Sequence, residues 1–180
     1  MSYVIHCTKK LLDRIKPPTI AAGVAVGTAL LGNWYATALF WKPQVALLVN
    51  EKTLLPVLMP LAPAKDLTTR FPNHLAGVLT AHGVPQQFID DELAQMNEVQ
   101  YAKTSNRSVV GIMNQFSYLT EGYREYLETD DLLALSIRLS ETPCSPLYKS
   151  AVLPDRELRR FVSMWNAHTA ANDESIGGQL

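Results

Sequence analysis

Residues 103–108 hold two cations, two serines and an asparagine: Lys103, Ser105, Asn106, Arg107 and Ser108. Val109, Ile112, Met113 and Phe116 follow at a spacing that predicts one apolar face of a helix. The first turn of a helix leaves backbone N–H groups unsatisfied and carries positive partial charge, so this combination has the chemistry to hold a phosphate or carboxylate. The same residues also have a purely structural use. Ser105 or Asn106 is a good helix cap, and a cation in the first turn is disfavoured by about 0.3–1 kcal/mol unless an anion shares it. Structural ion pairs often meet that need, so the expectation is an intrachain carboxylate on Arg107, with an anion site as the rival reading. A second polar group, Asn33 and Trp34 with Asn50, Glu51 and Lys52, falls at strand ends, where loops carry binding residues.

Other chemistry is sparse. No Walker loop, GxGxxG, GxSxG or HExxH occurs. His6, His74, His82 and His168 are spaced so that no two are neighbours on one helix, and Cys7 and Cys144 belong to no CxxC. We therefore expect no metal and no cofactor. His6 and Cys7 alternate on a predicted strand, so one faces the core, and a buried structural Cys7 is expected. Were the protein an enzyme acting on a phosphate-containing substrate, His6 would be its base and Lys103 and Arg107 would stabilise charge. Glu121, Glu125, Glu128, Asp130 and Asp131 read as a solvated face and loop.

The elements that must position these groups are legible in outline. SYVIHC predicts a strand, and KKLLDRI after Thr8 a short helix stopped by Pro17 and Pro18. NWYATALFW and VALLVN, joined through Lys42-Pro43-Gln44, predict an apolar central hairpin. EKTLLPVLMPLAP reads as a helix start broken by Pro56 and Pro60. Helices follow in PNHLAGVLTAHG, which ends at Gly83, and in PQQFIDDELAQM, opened by Pro85. EVQYAKTS predicts a strand, SVVGIMNQFSYLTEGYREYL and DDLLALSIRLSE two helices, and PDRELRRFVSMW a last helix opened by Pro154. The fold class expected is α+β: a small, mostly antiparallel sheet with a central hairpin, covered by several helices. One globular domain over 1–165 and a disordered tail over 166–180 are expected.

With 16 basic and 17 acidic residues the formal charge is −1, so no overall field draws the protein to nucleic acid. Lys9, Lys10, Arg14 and Lys16 form one small basic patch, enough for weak nucleic-acid binding only. The uncharged run from Pro17 to Trp41 imitates a membrane segment. Its Gly, Ala, Thr and Asn33 content makes it weakly hydrophobic, so buried strands and a small-residue helical turn are expected instead, with no membrane contact and a cytoplasmic location.

CTKKLLDRI, LGNWYATALF, LLVNEKTLL, TSNRSVVGIMNQF and LSETPCSPLYK together resemble a family of small bacterial proteins catalogued as a domain of unknown function. The resemblance runs from residue 5 to about 160, departs from the family in the Ala/Gly/Val segment before Leu31, and implies a compact single domain of bacterial origin without a named activity. The function expected is a non-enzymatic binding or regulatory module acting through a protein partner, in the manner of an inhibitor or antitoxin. The alternatives are the phosphate-directed enzyme and a nucleic-acid-binding accessory protein.

Overall fold

The structure, a computed structural model, describes residues 1–178. Strand β1 (Ser2–Cys7) lies between β2 (Trp34–Leu39) and β5 (Glu98–Lys103) and runs parallel to both. Beyond β2, β3 (Val45–Asn50) and β4 (Pro56–Pro60) continue antiparallel, giving the order β4-β3-β2-β1-β5. The α+β class is as expected. The sheet itself is mixed, which corrects the expectation of a mostly antiparallel one. Turn signals report only antiparallel neighbours, whereas parallel pairing needs long crossovers that no local pattern marks.

β4 is a second correction, since EKTLLPVLMPLAP was read as a broken helix. The two prolines sit at the ends of an edge strand, where a missing N–H costs little.

The two faces of the sheet are covered separately. Tyr3, Ile5, Cys7, Trp34, Ala36, Leu48 and Val57 point to one face. They pack against α1 (Lys9–Ile15), α2 (Leu67–Ala81), α3 (Gln86–Gln95) and α6 (Pro154–Gly177). Trp34 meets Phe71 of α2 edge-on at 5.0 Å. On the opposite face Tyr35, Leu39, Val45, Leu47 and Leu58 pack against α4 (Arg107–Tyr126) and α5 (Leu132–Leu139). β2 and β3, covered on both sides, are buried at every position.

Residues 16–33 form neither strand nor helix, and Val24 and Val26 are 94% and 72% exposed, so the buried elements expected there begin only at Trp34. This crossing is tied to the sheet by backbone bonds from Ala21 N to Tyr101 O (2.8 Å) and from Thr28 N to Ser2 O (2.7 Å). A side chain on Gly27 would fall 2.8 Å from Ser2 O, so the close approach requires glycine. Glu92 of α3, fully buried, accepts from Leu30 N (2.6 Å) and Leu31 N (3.2 Å). α6 continues as helix to Gly177, through most of the segment expected as a disordered tail; its side chains beyond Trp165 are almost all exposed, so the sequence lacks the apolar stripe that signals a packed helix. The end of that tail, residues 179 and 180, lies outside the described residues. Among the described residues no helix is long and apolar enough to cross a membrane.

Candidate functional site

β1 and β5 are parallel neighbours whose carboxyl ends lie at one edge of the sheet, with Cys7 opposite Lys103. From there the chain departs to opposite faces. After β1, α1 buries Leu11 and Ile15 with the first layer of helices; after β5, α4 buries Val109, Ile112, Met113 and Phe116 in the second. Adjacent parallel strands whose connections leave on opposite sides open a crevice outside their carboxyl ends, the usual ligand position in open sheets with parallel strands.

His6 forms the floor of that crevice. It alternates with the core residue Cys7, stacks on the Tyr35 ring of β2 at 4.6 Å between centroids, and is only 9% exposed. Its Nδ1 lies 2.9 Å from the Lys103 carbonyl oxygen, which can only accept, so Nδ1 carries the proton. In the neutral ring this leaves the lone pair on Nε2, which has no intrachain partner among the described residues. Ile20, Ala21, Ala22 and Gly23 of the crossing form one wall and Ala102, Lys103, Thr104 and Ser105 the other, around a volume of about 540 Å³. No carboxylate lines it, and Lys103 forms no ion pair among the described residues. The cleft is thus small, largely apolar and positive.

The structure divides the residues singled out from sequence. Lys103 and Ser105 line the cleft beside His6. Asn106 is the cap: its Oδ1 accepts from Ser108 N (3.0 Å) and Val109 N (3.3 Å), which uses the amides an anion at the helix end would have needed. Arg107 and Ser108 are exposed on the first turn, outside the cleft lining. Arg107 forms no ion pair among the described residues, so the intrachain carboxylate expected to hold it is not there.

The second group is a scaffold. Trp34 is fully buried in the core. Asn50, also fully buried, donates from Nδ2 to Leu31 O (2.9 Å) and Asn33 O (3.3 Å), and its Oδ1 accepts from Lys52 N, Thr53 N and Thr53 Oγ1. Glu51 N donates to Asn33 O, closing the same knot, and the Lys52 ammonium lies 5.6 Å from the Phe161 ring centre.

Sequence reasoning missed Tyr35, whose hydroxyl lies 3.2 Å from Ser105 Oγ and accepts from Asn106 N at 3.0 Å, fixing the start of α4 over the cleft. A polar-tipped aromatic in an otherwise apolar strand was the one available signal. Cys7 and Cys144 are buried, and burial pushes both thiols up to about 12, so neither is a nucleophile. Among the described residues no three His, Cys, Asp or Glu side chains are grouped to hold a metal.

No curated protein and no solved structure matches the chain. A protein-family profile, described as a domain of unknown function (DUF6933), matches residues 4–157, a span that includes β2 to β5, most of β1 and the whole of the crevice lining, and the chain belongs to that family.

Proposed function

We propose that the protein is a binding module whose ligand is a small organic anion, a carboxylate or phosphate on a compact apolar body, held in the crevice between β1 and β5. The observation that carries this reading is His6: a nearly buried imidazole, fixed through Nδ1, in a cleft with apolar walls and, among the described residues, a lysine without an ion pair and no acid. Ile20, Ala22 and Ala102 would meet the apolar body, and the Lys103 ammonium, the Ser105 hydroxyl and the His6 imidazole the polar group. Binding is favoured over catalysis because Ser105 is engaged with the Tyr35 hydroxyl, leaving His6 no activated nucleophile.

Thermal unfolding with benzoate and phenyl phosphate, each compared with neutral benzyl alcohol, tests the reading. The anions should raise the melting temperature by an amount that grows as the logarithm of concentration above Kd. Lys103→Ala should abolish the rise, as should Ala22→Phe, which fills the cleft. Equal shifts by benzyl alcohol, or shifts that survive both substitutions, would discard the site. A second reading, His6 as general base toward a phosphate ester, rests on the same Nδ1 anchoring. Release of inorganic phosphate from phenyl phosphate by wild type and not by His6→Gln would establish it in place of the first.

A further inference from the structure

The outward face of α4 carries a second arrangement, which shares no residue with the crevice lining. Tyr118, Glu121, Gly122, Glu125 and Tyr126 recur at i, i+3, i+4, i+7 and i+8 and so share one stripe of the helix. The two tyrosines are 79% and 85% exposed, a poor use of aromatic surface in a free protein. They stand ~12 Å apart along the axis at 1.5 Å per residue, room for a side chain between the rings. A Cβ on Gly122 would meet nothing within 4 Å, so the floor between them is open. With Leu127 and with Arg138 of α5 the stripe lines a concavity of about 520 Å³.

Its charge is unbalanced. Arg124 Nε donates to Asp130 Oδ1 at 2.7 Å and the guanidinium lies over Trp41, while Arg138 donates to Glu141 at 3.2 Å and lies over Tyr123. The local cations are therefore occupied. Glu121 and Glu125 form no ion pair among the described residues. Electron-rich ring faces flanking two uncompensated carboxylates complement a cation on a flexible stem, and repel nucleic-acid phosphates and anionic lipid. We propose that this stripe is the docking surface for a basic segment of a protein partner, with one Arg or Lys seated between Tyr118 and Tyr126 against Glu121 and Glu125. The proposal does not depend on the ligand of the crevice.

Calorimetric titration of the full chain with an Arg-Ser repeat peptide, and with the same peptide carrying neutral citrulline for arginine, provides the test. The arginine peptide should bind at least about tenfold more tightly than its neutral counterpart, more weakly as salt rises. The exposed double variants Tyr118→Ala/Tyr126→Ala and Glu121→Gln/Glu125→Gln should each weaken it by about tenfold or more with unchanged circular dichroism. Amide shifts should centre on 118–127. Equal binding of the citrulline peptide, wild-type affinity in both double variants, shifts centred elsewhere, or a concentration-dependent dimer lost in either variant would each overturn the proposal, the last by naming a second copy of the chain as the occupant.

Discussion

Glu92 should make the fold lose stability as pH rises from about 4.5 to about 7. Its carboxyl is fully buried and accepts from Leu30 N and Leu31 N. Burial pushes the carboxyl from 4.5 up to about 7, against the opposing pull of those two amides and of the Lys52 charge. A raised folded-state value means that ionisation is resisted in the fold and free in the unfolded chain. Glu92 therefore contributes stability that is complete below pH 4.5 and lost as pH climbs toward and past 7. A gap of about 2.5 (7 minus 4.5) corresponds to roughly 3 kcal/mol at most. Glu92→Gln keeps one oxygen acceptor for the amides and forfeits the other, a pH-independent cost of about 1 kcal/mol. Urea unfolding of both proteins at about pH 4, 5.5 and 7.5 should then give curves that cross near about pH 5: wild type ahead by up to about 1 kcal/mol at the acid end, the variant ahead by about 2 kcal/mol at the upper end. His74 and His82, lowered mainly by burial, act in the opposite direction, destabilising the fold as pH falls, but they cancel in the difference between the two proteins. A difference that stays constant across the range would refute the reasoning, because it would mean that Glu92 has the same proton affinity folded and unfolded.

Asn50→Ala should cost about 2–5 kcal/mol in urea unfolding, since it strands the buried Leu31 carbonyl and Thr53 N–H; a loss below about 1 kcal/mol would mean that water replaces the side chain. Arg107→Ala should leave stability unchanged or raise it by up to about 1 kcal/mol at low salt, because an unpaired cation sits in the first turn of α4; a clear loss would mean that the guanidinium has found a carboxylate in solution. Ending the chain after Trp165 should lower the melting temperature only slightly, as most side chains beyond it are exposed, and a large loss would make 166–177 part of the domain's core.

Much of the scaffold was legible because it obeys local rules. The 3.6-residue spacing of Val109, Ile112, Met113 and Phe116, the Asn106 cap and the apolar runs of β2 and β3 each announce themselves within a dozen residues. β4 was not, because Pro56 and Pro60 forbid a helix but are tolerated at a sheet edge, and being an edge is a property of the whole sheet. The site was half legible for the same reason. Lys103 and Ser105 stood out by type, but the pairing of His6 with the Lys103 carbonyl spans 97 residues and depends on a parallel register that no turn specifies. Arg107 misled in the opposite sense: its position asked for a partner, and exposure to water removed the need.

That same 97-residue span sets the order in which the crevice comes into being. During synthesis β1 emerges first, and β2 to β4 can assemble on one of its edges while the other stays open until β5 is made. An open apolar edge is a template for pairing with other chains, and long-range closure is the slow part of folding, so this is the interval in which the protein is most exposed to aggregation. His6 has no carbonyl to hold it, and the wall from Ala102 to Ser105 does not exist, until β5 has docked. A ligand of the crevice, as proposed above, would therefore recognise only finished molecules. By bridging β1 and β5 it would slow the reopening of the longest-range pairing in the sheet, and a cell supplying that ligand would lengthen the protein's life by holding shut the last seam to close.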